Sequence, residues 1–79
     1  MGDWQAHISV HPDVMAGKPC ITGTRVPVET ILEKLAADIP VEDILRDYPR
    51  ITREDVLAAI AYAAASVGAE EIILTERSA

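Results

Sequence analysis

Phenylalanine is absent from this chain, and only Trp4, Tyr48 and Tyr62 are aromatic. A core must therefore be aliphatic, built from Ile, Leu, Val and Ala. The single cysteine, Cys20, excludes an internal disulfide framework. No apolar run approaches the roughly 20 residues that a membrane helix needs. Nothing matches the basic, apolar and small-residue regions of a signal peptide, so the expectation is a soluble, cytoplasmic protein without a membrane partner. Basic residues are scarce too: seven Lys and Arg stand against 13 Asp and Glu, for a formal net charge of −6. That balance argues against a strong nonspecific polyanion binder, whose affinity comes from Lys and Arg displacing counterions. Any nucleic-acid role must rest on a local patch, and an acidic surface equally suits a basic protein partner.

What is present is concentrated order. Seventy-nine residues allow one domain and bury a smaller share of surface than larger domains do, which favours a dimer over a lone monomer. Residues 17 to 28, Gly-Lys-Pro-Cys-Ile-Thr-Gly-Thr-Arg-Val-Pro-Val, place Gly17 and Gly23 where positive φ lets a chain turn, with Pro19 and Pro27 fixing φ beside them. The segment reads as extended, turn, extended, helix. Ahead of it, residues 1 to 5 read as a loose terminus, and Ala6 to Val10 alternates as a short strand with Ile8 and Val10 on one face. His11-Pro12-Asp13 and Ala16 to Pro19 are turn material. Cys20–Thr22 and Thr24–Val26 then form short strands or a tight ribbon about Gly23.

From Val28 the period changes. Val28, Ile31, Leu32 and Leu35 predict an amphipathic helix with Pro27 at its start, Glu29 against the positive end of its dipole, and Asp38-Ile39-Pro40 as its stop. A second helix spans Val41 to about Asp47, with Val41, Ile44 and Leu45 facing inward. Pro49 breaks it, because it disfavours helical geometry at the residue before it. Thr52 is the expected N-cap of a third helix, with Asp55 completing a weak capping box. That helix runs from Arg53 to about Ser66, its inner positions being Val56, Leu57, Ile60, Ala63 and Ala64, and its stop Gly68. Its many alanines make it thin and allow close approach of another helix. Residues 6–68 form one domain whose ribbon is 6–27, and 69–79 form a C-terminal tail in which Ile72, Ile73 and Leu74 pack back on the core or await a partner.

Helix, turn, helix is the spacing of a DNA-binding module in which the second helix braces and the start of the third enters the major groove. Arg50, Thr52 and Arg53 are the residues it offers to DNA, with Lys18 and Arg25 flanking the ribbon as further phosphate contacts. The blander alternative is a small helical bundle with solvated arginines. His7, His11 and Cys20 are metal-ligand types, but the region reads as strand and turn and a fourth ligand is missing, so no metal is expected. Cys20 reads as a structural cysteine rather than a thiol catalyst. Carboxylate pairs such as Glu42 with Asp43 and Glu54 with Asp55 diverge on a helix and serve its start. With no phosphate-binding glycine loop and no nucleophile motif, neither an enzyme nor a cofactor is expected.

Gly17-Lys18-Pro19, Ile21, Gly23-Thr24-Arg25-Val26-Pro27-Val28, Ile31-Leu32, Val41 to Leu45, Tyr48-Pro49, Ile51-Thr52 and Asp55-Val56 closely resemble the small bacterial family known as domain of unknown function 433. The likeness runs from about residue 6 to residue 66 in unbroken order. It implies a mostly α fold, a three-helix homeodomain-like helix-turn-helix with a small N-terminal β extension, dimeric with that extension taking part. It further implies the antitoxin of a toxin–antitoxin pair whose partner resembles a PIN-type ribonuclease. On that reading Lys18, Arg25, Arg50, Thr52 and Arg53 bind DNA in autoregulation. Ile72, Ile73 and Leu74 anchor the toxin, and Glu70, Glu71 and Glu76 occupy its basic groove. The alternative function is a dimeric protein-interaction adaptor without nucleic-acid contact.

Overall fold

The computed structural model describes residues 3–69. In chain order it has a 3-10 turn at Trp4–His7, strand β1 (Ile8–Ser9), a turn at Met15–Gly17, strand β2 (Cys20–Ile21) and helices α1 (Val28–Ala36), α2 (Val41–Asp47) and α3 (Arg53–Ala69). The chain is mostly helical, with a small antiparallel sheet near the N-terminus in which Ile8 pairs with Ile21 and Ser9 with Cys20. No helix among the described residues is long and apolar enough to cross a membrane.

The N-terminal segment is more ordered than its composition suggests. Ala6 and His7 wind into the 3-10 turn instead of extending the strand, and Val10 lies beyond it, exposed. Trp4 meets Tyr62 of α3 edge to face, with ring centroids 6.0 Å apart. One large aromatic contact is enough to dock a turn that polar neighbours would leave loose. The terminus is thus held from Trp4 onward.

Gly23 sits at φ 81° in a turn closed by the Thr24 N–H donating to the Ile21 carbonyl at 3.0 Å. The Thr24 hydroxyl donates to the same carbonyl and accepts from the Val26 N–H, which locks the turn from inside. The returning chain pairs with β2 through an isolated Cys20–Pro27 bridge, made by hydrogen bonds from the Ile21 N–H to the Val26 carbonyl and from the Val28 N–H to the Pro19 carbonyl. The expected ribbon therefore closes, but its regular strand partner is β1. A second turn, at Met15, Ala16 and Gly17, is left-handed throughout, with φ of 51°, 57° and 82°.

Each helix boundary has a local cause. Pro27 and Pro40, both extended, precede α1 and α2, and Glu29, Glu42 and Asp43 lie in first turns where the dipole favours them. α1 ends in a Schellman arrangement: the Ile39 N–H reaches the Lys34 carbonyl and the Asp38 N–H reaches that of Leu35, both at 3.0 Å. Asp38 takes the left-handed position at φ 65°. α3 opens with the expected capping box, Asp55 N–H to Thr52 Oγ1 at 3.2 Å and Thr52 N–H to Asp55 Oδ2 at 3.0 Å. Its far end departs from expectation. Gly68 has no positive φ and is continued by Ala69 in the helix, so it is not the stop.

The core consists of Ile21, Val28, Ile31, Ile44, Ile51, Val56 and Ala59, none more than 4% exposed. It is aliphatic, as the scarcity of aromatics requires, and each isoleucine buried contributes about 1.5–3 kcal/mol of transfer free energy. α1 and α2 present their expected faces: Val28, Ile31 and Ile44 are buried and Leu32, Leu35, Val41 and Leu45 pack around them. On α3, Val56 holds its expected place and Ala63 is half-buried. Leu57, Ile60 and Ala64, expected inside, lie outside, while Ala58 and Ala59 are buried. Apolar residues surround α3 almost evenly, so periodicity could not orient it; alanines fit where two neighbours, the N-terminal turn and α1, press close.

Candidate functional site

Residues far apart in sequence converge between the Gly23 turn and the α2–α3 turn. Gly23, Thr24, Arg25 and Val26 form one wall of an open depression of about 560 Å³, and Asp47, Tyr48, Pro49, Arg50 and Ile51 form the other. Arg25 and Arg50, both exposed, thus line one concavity with an apolar floor. Neither guanidinium makes an ion pair among the described residues. Paired guanidiniums suit phosphate or carboxylate oxygens, which they bind through forked, charge-assisted hydrogen bonds. Asp47 in the same lining weakens the positive field.

The other candidate contacts are distributed differently. Thr52 is exposed, but its hydroxyl accepts the Asp55 N–H in the cap. Arg53 follows in the first turn of α3, exposed and outside the lining of the depression. Lys18 pairs with Glu29 at 3.2 Å, both about half exposed, an interaction worth at most about 1 kcal/mol. It borders a smaller hollow shared with Cys20 and His11, which adjoins the arginine depression through Val14, Gly23 and Thr24. Ile72, Ile73 and Leu74 lie outside the described residues.

Two features escaped sequence reasoning. The first is His7, whose Nδ1 lies 2.7 Å from Asp55 Oδ1, joining residues 48 positions apart. Burial pushes the Asp55 carboxyl up, but the hydrogen bonds from His7 and from Thr52 outweigh it and hold the group below its ordinary value. No local signal pairs a strand-like histidine with a capping aspartate. The second is the exposed side of α3. Leu57, Ile60 and Val67 are 57%, 45% and 60% exposed, and Leu57, Ile60, Ala61 and Ala64 join Trp4 and His7 along an apolar groove of about 480 Å³. The signal was in the sequence, as the spacing of Leu57, Ile60 and Ala64, but it marked an outer face.

Comparison with known proteins follows the same outline. The family model described as Protein of unknown function (DUF433) matches residues 8–63, from β1 through most of α3. A crystal structure of a DUF433 member from Anabaena variabilis is similar with a TM-score of 0.75 at 30% identity, covering 90% of this chain and 70% of that one. A relative from Sinorhizobium fredii, the uncharacterized protein y4eO, is 36% identical over 59 residues, which are 75% of this chain but 27% of y4eO. The chain therefore spans about a quarter of the length of that relative. By its sequence and by its fold, this chain belongs to the DUF433 family.

Proposed function

We propose that this chain is an antitoxin-like DNA-binding regulator, a homodimer that also binds and neutralises a PIN-like ribonuclease toxin. It acts by binding alone, without catalysis or cofactor. The observation that carries the DNA-binding part is the convergence of Arg25 and Arg50 on one depression, with Arg53 at the start of the next helix and Lys18 on the adjoining side. A local basic concavity is what an acidic chain needs to contact a phosphate backbone. The toxin part rests on the family resemblance, with Ile72, Ile73 and Leu74 as its anchor.

The test is fluorescence anisotropy of labelled DNA from upstream of the gene against a scrambled control, across a salt series. Binding that prefers the upstream sequence, weakens with salt and is lost in Arg25→Ala/Arg50→Ala supports the regulator. Each phosphate contact removed should lower the salt slope by about one. No binding at low salt refutes it and favours a second reading, a protein-interaction adaptor without nucleic-acid contact. The apolar outer face of α3 and the net charge of −6 favour that alternative, because a base-reading helix face is polar.

A further inference from the structure

The depression between the Gly23 turn and the α2–α3 turn is larger and less polar than a phosphate contact requires. Its volume of about 560 Å³ falls in the range of roughly 300–1,000 Å³ over which pockets take compact organic molecules. Val14, Val26, Tyr48, Pro49 and Ile51 line it beside Arg25 and Arg50. Its walls are already fixed. The Thr24 N–H and hydroxyl hold the Gly23 turn, and the Ile51 N–H donates to the Tyr48 carbonyl at 2.9 Å. Tyr48 packs on the core with the Lys34 ammonium 5.7 Å from its ring centroid. Through Val14, Gly23 and Thr24 the depression runs on into the hollow that holds Lys18 and His11, whose lining contains no carboxylate. Cations thus follow one track, Arg50 and Arg25 first and Lys18 beyond, opposed by Asp47 in the lining and by Glu29 beside Lys18.

A duplex fits this track poorly. It presents its phosphates on a convex surface and keeps its bases stacked inside, so a backbone contact leaves the apolar lining facing water. The element that reads a duplex in a helix-turn-helix is the start of the recognition helix. In α3 that turn carries Glu54 and Asp55 beside Arg53, and the face beyond it exposes Leu57 and Ile60. Carboxylates repel the phosphates on either side of a major groove, and aliphatic side chains leave most base edges without hydrogen bonds. An unpaired strand meets neither obstacle, because it bends and its bases are free to leave water.

We propose that the depression receives an unpaired base of single-stranded DNA, with the flanking phosphates held by Arg25 and Arg50 and the strand continuing past Lys18. A base buried against an aromatic and aliphatic lining, with cations along the backbone, is the combination that holds single strands without reading their sequence. The proposal rests on the nucleic-acid contact already given to the two arginines and specifies the state of the strand they meet.

Fluorescence anisotropy of the full chain with three labelled probes across a salt series tests it: a DNA strand of about 12 nucleotides, the same sequence as a duplex, and a strand of equal length made of abasic sites. The intact strand is expected to bind about tenfold or more tightly than either the duplex or the abasic strand, because only it places a base on the apolar lining. Arg25→Ala/Arg50→Ala should abolish that preference and flatten the salt dependence by about 0.7 per arginine, with Lys18→Ala removing about 0.7 more. Circular dichroism should show these variants folded, since all three residues are exposed. Duplex binding that equals or exceeds that of the strand, and is lost in Arg25→Ala/Arg50→Ala, overturns the single-strand proposal and leaves the DNA contact of the arginines standing. An abasic strand that binds as well as the intact one overturns it too, because no base then enters the depression. Strand binding indifferent to Arg25→Ala/Arg50→Ala overturns the site. No binding of any probe at low salt overturns this proposal together with the DNA-binding part of the proposed function.

Discussion

Asp55 uses its two carboxylate oxygens for two different tasks: Oδ1 lies 2.7 Å from His7 Nδ1 and Oδ2 accepts the Thr52 N–H at 3.0 Å. One side chain therefore caps α3 and fastens the N-terminal turn to it. Replacing it by alanine removes both side-chain contacts, although Thr52 Oγ1 still accepts the backbone N–H of residue 55, and a cost of about 1–3 kcal/mol is expected for the lost charge-assisted hydrogen bonds, read as a lower urea midpoint with unchanged slope. His7→Ala should cost less, because the bond from the Thr52 N–H to Asp55 Oδ2 remains.

The same pair sets an acid dependence. The folded-state pKa of Asp55 lies below its unfolded value, so the charged carboxylate stabilises the fold above about pH 4, where the unfolded group ionises. That contribution is lost as pH falls through the folded value. Asp55→Asn is therefore expected to be less stable than the parent at neutral pH and to converge with it in strong acid. Urea titrations at several acidic pH values would show a shallower slope for the variant.

Strain is stored at non-glycine positions of two turns. Ala16 and Asp38 hold φ of 57° and 65°, positions costing roughly 1 kcal/mol for a residue with a side chain, less for Asp than for Ala. Ala16→Gly and Asp38→Gly should each raise the melting temperature by a few degrees, with Ala16→Gly the larger. Gly23→Ala, which forces a Cβ onto φ 81°, should lower it.

Neighbours on α3 should respond in opposite ways. Val56→Ala opens a cavity in the core and is expected to cost about 1–3 kcal/mol, whereas Leu57→Ala in the monomer stays within roughly 0.5 kcal/mol. Chemical denaturation of both at low protein concentration checks the rotation of the helix. Equal costs would mean that Leu57 is packed inside.

Gly68 provides a further check on α3. It lies inside the helix, and a Cβ added there meets nothing within 4 Å. Gly68→Ala should therefore add about 0.5 kcal/mol by improving helix propensity. A loss instead would restore the glycine to the role of a stop.

Much of the fold was legible in sequence because its causes are local. The faces of α1 and α2 follow from apolar spacing against polar neighbours, and the α3 cap from a threonine and an aspartate three residues apart. The turn at Gly23 follows from a residue without a side chain. Asp38 shows the limit even here: the stop of α1 was legible, but its left-handed geometry was not, since aspartate adopts it only when the helix end demands it.

The sequence by itself determined an aliphatic core, three helices, a glycine-turned β element and the family, because each is set by spacings within a few residues. Tertiary structure alone decided which side of α3 is buried, since apolar residues ring that helix and only its neighbours choose among them. It also decided that His7 meets Asp55 and that Arg25 and Arg50 line one depression. Those pairings join distant parts of the chain, and no local periodicity encodes the packing that brings them together.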